Sequence, residues 1–188
     1  SRVRNNHLVI DPFCGSGTIL IESALKALNI APGINRSFAC ESWRPIPKNV
    51  WELERQRAKD MEIKDCGFEA IGYDIDNEAI DLTINNAKLA GVGNRIKAVK
   101  RDIADYCESA ERASIICNPP YGERLLDINE ARRIYKIMGE KFVKQDGYSY
   151  TIISPDEEFE DLFGRKADKR RKLYNGMIKC QVYMYFKK

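Results

Sequence analysis

The chain holds a single histidine, His7, and none of its six cysteines stands in a C-x-x-C pair. A zinc centre needs several such ligands at close spacing, so no metal is expected. Cys14, Cys40, Cys66, Cys107, Cys117 and Cys180 are scattered singly and read as reduced thiols of a cytoplasmic protein. No apolar run approaches the roughly 18 to 20 residues of a membrane span, and no membrane partner is expected. Ser1 to Asn6 is polar and basic with no apolar stretch behind it, so no secretory signal is expected. There is no internal repeat, low-complexity tract or linker, and residues 1–188 are expected to fold as one domain.

What is present fits that reading. Hydrophobic residues make up 44% of the chain and charged residues 31%, which excludes the composition of a disordered polymer. The net charge is only +3, but Arg165 to Lys172 carries six basic residues against one acidic residue, leaving the other 180 residues at −2. A near-neutral body with one concentrated basic stretch suggests a docking surface for a polyanion such as nucleic acid, with Lys166, Lys169, Arg170, Arg171 and Lys172 as candidate contacts. The alternative is a solvated edge that only discourages aggregation.

Apolar His7–Ile10 ends at Asp11 and runs into Gly15 and Gly17, a strand feeding a glycine turn. Leu20, Ile21, Ala24, Leu25 and Leu28 then recur at helical spacing. Ala31 to Pro47 reads as irregular, after which Asn49 is the expected cap of a helix through Trp51, Ala58 and Met61. Trp43 and Trp51 are expected to anchor this insertion to the core. Further strands are expected at Ala70–Tyr73, Ile96–Val99, Ser114–Cys117 and Tyr148–Ile153. Helices fall at Ile80–Ala87, Ala131–Phe142 and Asp156–Phe163. The dipeptide Asn175-Gly176 between Arg171–Tyr174 and Met177–Phe186 signals a two-residue hairpin turn. The whole predicts an α/β fold with a mostly parallel sheet, helices on both faces and an antiparallel edge hairpin.

In such sheets ligands bind outside the carboxyl ends of the strands. The residues expected there are Asp11, Asp74, Asp102 and Asn118. No lysine follows Gly17, which excludes a P-loop; Leu20 occupies the third glycine position of a dinucleotide fingerprint, and Asp74 lies 63 residues after Asp11 where the fingerprint needs an acidic residue about 20 residues on. Glycines still allow close backbone approach. Acidic neighbours suit a cationic, hydroxyl-rich ligand better than a pyrophosphate, and S-adenosylmethionine has that profile. Asn118-Pro119-Pro120-Tyr121 after a buried strand offers two acceptors, the Asn118 side-chain oxygen and the Pro119 carbonyl, to the N–H bonds of a planar exocyclic amine. Prolines stiffen that backbone, and Tyr121 can stack on a base.

The order DPFCGSGT, GYDID, RD, NPPYGER resembles the class I S-adenosylmethionine-dependent amino-methyltransferases. More narrowly, LVIDPFCGSGTILIESA, LNIAPGINRSFACESW, NPPYGERL and KRRKLYNG resemble the large-subunit ribosomal RNA guanine-N2-methyltransferases, whose members usually carry an RNA-binding THUMP module ahead of the catalytic domain. The resemblance implies a Rossmann-like sheet of seven strands ending in a hairpin, and methylation of a guanine N2 in 23S rRNA. No THUMP module precedes the first strand in this sequence, so a catalytic-domain fragment is expected. By the same resemblance Asp11 and Phe13, Cys14, Gly15, Ser16 and Gly17 hold the methionine end of the cofactor. Asp74, with Ile75 beside it and Asp76 as competitor, meets the ribose; Asp102 and Ile103 meet the adenine. Asn118, Pro119, Pro120 and Tyr121 present the target amine; Glu123 and Arg124 follow immediately and either line the entrance, with Arg124 a candidate RNA contact, or form a surface ion pair. The same motif fits adenine-N6 methylation of nucleic acid, methylation of a protein glutamine, or an RNA-binding scaffold without catalysis. Cys14 lacks a local base or cation to make it a nucleophile.

Overall fold

Seven strands form one sheet in the order β3-β2-β1-β4-β5-β7-β6. The computed structural model describes residues 7–107, 110–121 and 127–186. The strands are β1 (Leu8–Asp11), β2 (Glu69–Asp74), β3 (Ile96–Lys100), β4 (Ala113–Cys117), β5 (Tyr148–Ser154), β6 (Lys169–Asn175) and β7 (Ile178–Tyr185). Helices α1 (Thr18–Ala27), α2 (Lys48–Asp60), α3 (Asn77–Leu89), α4 (Ile128–Lys141) and α5 (Phe159–Phe163) lie between them. Strands β1 to β5 are parallel, while β7 runs antiparallel between β5 and β6. The expected α/β architecture with its antiparallel edge is therefore present. Strand order reverses between β1 and β4, the position where open α/β sheets place their ligand crevice.

Alternation along the strands sends neighbours to opposite faces. Val9 packs with Leu20, Ala24, Phe68, Ile80 and Val92 beneath α1 and α3. Ile10, next in sequence, belongs to the opposite core with Ile115, Ile152, Tyr135, Met138 and Phe142. Aromatic pairs fill the α4–α5 side: Phe142 stacks on Tyr150 at 5.1 Å, and Phe159 meets Tyr183 at 4.5 Å. Tyr183 and Tyr185 are thus sheet-core residues, as their strand positions predict.

The insertion between α1 and β2 departs from expectation. Helix α2 begins at Lys48 behind Pro47, whose φ of −59° suits a helix start, so Asn49 lies inside the helix instead of capping it. None of its residues is buried. Trp43 is 61% exposed and anchors nothing; Trp51 stacks instead on Phe38, within the insertion. Polar contacts hold the segment: Arg55 pairs with Glu41 and donates to the Arg36 carbonyl, and Asn29 Nδ2 donates to the Met61 carbonyl at 2.9 Å.

The terminal hairpin turns one residue later than the Asn-Gly signal predicts. Asn175 is the last residue of β6 and pairs with Ile178, so the turn is Gly176-Met177. Gly176 takes φ 63°, and Asn175 does not adopt a positive φ. A glycine at the first central position is the signature of a type II′ turn, so the glycine carries the geometry.

Candidate active site

Strand β1 delivers Asp11 to the sheet's carboxyl end at 1% exposure, where its Oδ1 accepts the Phe13 N–H at 3.0 Å. Burial pushes the Asp11 carboxyl up to about 7; the Phe13 N–H opposes that rise and the neighbouring Asp74 adds to it. Strand β2 delivers Asp74, whose Oδ2 accepts the Gly15 N–H at 3.0 Å and whose Oδ1 accepts the Asp76 N–H at 3.1 Å. The Cys14 N–H donates to the Tyr73 carbonyl at 2.9 Å, so the turn is tied to β2 by backbone as well. Burial raises the Cys14 thiol to about 11, which keeps it protonated and unreactive.

Helix α3 supplies two supports that sequence reasoning missed. Thr83 Oγ1 donates to the Gly15 carbonyl at 2.8 Å, and Asn86 Nδ2 donates to the Ser16 carbonyl at 2.9 Å. They sit three residues apart and so share one helix face. Gly17 starts α1 at φ 81°, and a Cβ there would come within 2.9 Å of the Thr83 methyl, so the turn admits only glycine at this position.

A cavity of about 590 Å³ opens above these strand ends. The structure brings Asp11, Phe13, Cys14, Gly15, Ser16, Asp74, Ile75 and Asp76 to one side of it and Asn118, Pro119, Pro120 and Tyr121 to the other. Gly17 stands behind the wall. Ile75 is 64% exposed, an apolar side chain open to whatever fills the rim. Asp76 caps α3, its Oδ1 accepting the Glu78 N–H at 2.9 Å.

Asp102 and Ile103 do not line this cavity. Strand β3 ends at Lys100, one residue beyond the expected Val99, and Asp102 lies two residues past that end. Asp102 is exposed and caps a short 3-10 turn by accepting the Ala104 N–H at 2.8 Å, while Ile103 is buried in the core with Tyr106 and Phe142.

On the opposite wall β4 ends at Cys117 and hands over to Asn118. Asn118 Oδ1 is buried and has no hydrogen-bond partner among the described residues. A buried acceptor left unpaired costs about 1–3 kcal/mol. Pro119 is buried, and Tyr121, 8% exposed, accepts a 2.6 Å hydrogen bond at its hydroxyl from Asn175 Nδ2. Asn175 also lines the cavity, a site residue hidden from sequence reasoning because Asn-Gly reads as a turn.

The basic stretch divides. Arg170 is engaged by Glu160, itself 6% exposed, and lies over the Tyr183 ring, so its charge is neutralised within the fold. Lys166 lines a separate cavity at the amino end of β5 with Tyr148 and Arg165, away from the crevice. Lys169, Arg171 and Lys172 are exposed along the edge strand; Lys172 pairs with Gln181, level with Ser154 at the end of β5, and its ammonium lies 4.9 Å over the Tyr174 ring. Arg124 and Glu123 lie outside the described residues. Among the described residues no three His, Cys, Asp or Glu side chains converge as a metal site, and no helix is long and apolar enough to cross a membrane.

Known proteins are similar to this chain in sequence and fold. The chain is 40% identical over 182 residues to the ribosomal RNA large subunit methyltransferase K/L of Shewanella baltica (strain OS195), an alignment that takes in 94% of this chain and 26% of that protein. The crystal structure of SMU.472 in complex with SAH superposes with a TM-score of 0.95 at 37% identity, covering all of this chain and 50% of the other. A structure from Listeria monocytogenes, described as a predicted N6-adenine-specific DNA methylase, superposes at 0.92 and 39% identity, covering 100% of this chain and 48% of its own. The chain thus spans about half the length of its structural neighbours and less of the K/L relative. The family model described as RMKL-like, methyltransferase domain matches residues 1–184. With the seven-stranded class I methyltransferase sheet, the glycine turn and the Asn-Pro-Pro-Tyr wall all in place, the chain belongs to the RMKL-like methyltransferase domain family.

Proposed function

We propose that this domain transfers a methyl group from S-adenosylmethionine to the exocyclic N2 amine of a guanine in RNA, with large-subunit ribosomal RNA as the substrate. The observation that carries the reading is that Asn118, whose buried Oδ1 has no hydrogen-bond partner among the described residues, lines the same cavity as the glycine turn. The turn side fits the cofactor on its own terms. Among the described residues Asp11 is a buried carboxyl that accepts one N–H, from Phe13, an environment that a cationic group would relieve. Bound there, the cofactor supplies an electrophilic methyl carried on a sulfonium.

The chain's own work is alignment. An exocyclic amine conjugated to a purine is a weak nucleophile because its lone pair is delocalised into the ring. Asn118 Oδ1 and the Pro119 carbonyl accept its two N–H bonds and turn the lone pair out of the ring plane toward the turn side. Tyr121 stacks on the base, which must leave its neighbours to reach that depth. The proton released on transfer departs from the amine to solvent. Holding the two reacting groups in line supplies the acceleration, and no metal or covalent enzyme intermediate is required.

RNA is favoured as the substrate by the description of the K/L relative and by exposed Lys169, Arg171 and Lys172 on the edge strand whose last residue, Asn175, lines the crevice. The Listeria neighbour's description favours the rival, adenine N6 in DNA. Incubation of the full-length protein with cofactor labelled in its methyl group, and separately with total RNA, DNA and soluble protein, tests the substrate class. Label in the RNA alone is the expected result; label in DNA or protein alone refutes the reading.

A further inference from the structure

We propose that Asn175, at the tip of the β6–β7 hairpin, is a positioning residue for the transfer reaction, acting through the Tyr121 hydroxyl. The inference rests on the proposed function, in which the Tyr121 ring holds the target base. Asn175 is 54 residues away in sequence and comes from the edge of the sheet, yet its amide donates to the Tyr121 hydroxyl at 2.6 Å and its side chain lines the crevice.

The backbone gives no reason for an asparagine at this position. The turn is made by Gly176 and Met177, and Asn175 is a ladder residue paired with Ile178 without a positive φ. Asparagine is among the residues depleted in strands, where β-branched side chains fit better. Its local cost is therefore offset by what the amide does, and the described contact is with Tyr121.

The need for such a contact follows from the neighbouring chain. Tyr121 closes the Asn-Pro-Pro-Tyr wall, and a phenol ring held only by its backbone still swings about its side-chain torsions. The hydrogen bond at the far end of the ring fixes it at two points. The hairpin is suited to bear that load, because β6 and β7 continue three residues past the level of Ser154, where β5 ends, and so reach across the crevice mouth. The ring plane is then set before the base arrives, and a displacement on the order of 1 Å in such an element costs up to about 100-fold in rate.

The test replaces Asn175 by Val, which favours the strand and removes the amide, and Tyr121 by Phe, which keeps the ring and removes the hydroxyl. With RNA and labelled cofactor, each variant of the full-length protein should lower kcat about tenfold while KM for RNA stays within about twofold, and the double variant should be no worse than either single one. Cofactor affinity by calorimetry and the unfolding midpoint of Asn175→Val should match the wild type. A merely structural hairpin contact would lower the midpoint and leave kcat alone, and that result overturns the proposal. So does a double variant whose losses multiply, because the two side chains would then act separately. A wild-type protein that methylates no RNA contradicts the proposed function itself, and the inference falls with it; an active wild type with Asn175→Val at full kcat contradicts the inference alone.

Discussion

The two walls of the crevice are built on opposite principles. On the turn side the chain satisfies its own polar groups: Asp74 accepts from Gly15 and Asp76, Asp11 accepts from Phe13, and Thr83 and Asn86 donate to the Gly15 and Ser16 carbonyls. On the Asn118 side the central acceptor is buried and has no hydrogen-bond partner among the described residues. The first wall is a cradle shaped before its ligand arrives, so ordering it costs little on binding. The second keeps an unsatisfied group whose partner is supplied by substrate, so its hydrogen bond forms when the reacting amine is in place. Binding and chemistry are thereby assigned to different residues, and changes on one side should leave the other largely untouched.

That separation can be broken in a definite order. The largest effect belongs to Asn118→Ala, which should lower kcat at least about 100-fold and leave cofactor affinity within about twofold; a matching loss of cofactor affinity would show that the walls are not separable. Next is Asp74→Ala, which strands the Gly15 and Asp76 N–H groups and should weaken cofactor binding by about 1–3 kcal/mol with the fold retained. The same change at exposed Asp102 should cost the cofactor almost nothing, and calorimetry on the pair distinguishes a cavity wall from a surface cap.

The smallest and most diagnostic effect is in the pH dependence at Asp11. Its carboxyl is raised from 3.8 to about 7 by burial, so at pH 6 it is mostly protonated and at pH 8 mostly ionised. Because a cationic ligand favours the ionised form, cofactor affinity should rise about tenfold between pH 6 and pH 8, and Asp11→Asn should flatten that rise. Stability runs the other way. A carboxyl raised on folding favours the folded state at pH below 3.8, and that advantage is lost as pH climbs through 7. Asp11→Asn should therefore unfold at a higher midpoint than wild type at pH 8, with the gap closing toward pH 4. Parallel pH curves for the two proteins would remove Asp11 from the cofactor wall.

Much of this organisation is legible in the sequence where one physical rule acts alone. Buried strands ending in Asp11, Asp74 and Asn118 announce themselves, because an apolar run stopped by a polar residue is the mark of a strand leaving the core. The rule fails where two signals compete. Asp102 follows the expected strand, as β3 ending at Lys100 shows, but no pattern in the sequence reveals that its side chain caps a 3-10 turn. Thr83 reads as part of an apolar helix stripe, and only the fold reveals that its hydroxyl meets the glycine turn. Asn175 carries a turn signal strong enough to hide its contact with Tyr121, while Gly176 alone sets the turn. In the basic stretch, charge counting treats six cations alike, but Arg170 is neutralised by Glu160, a pairing across the α5–β6 connection that no local pattern shows. Trp43 and Trp51 read as anchors of the insertion to the core, but aromatic size alone does not say which surface a ring meets: Trp43 is exposed and Trp51 stacks on Phe38 within the insertion.

The central claim is that the open acceptor of Asn118 presents a guanine N2 amine to the methyl donor. It is tested most directly by digesting RNA methylated by the wild-type protein to nucleosides and identifying the product that carries the label, with Asn118→Ala run in parallel. The account predicts N2-methylguanosine from the wild type and almost none from the variant. N6-methyladenosine from the wild type, or undiminished N2-methylguanosine from Asn118→Ala, would contradict it.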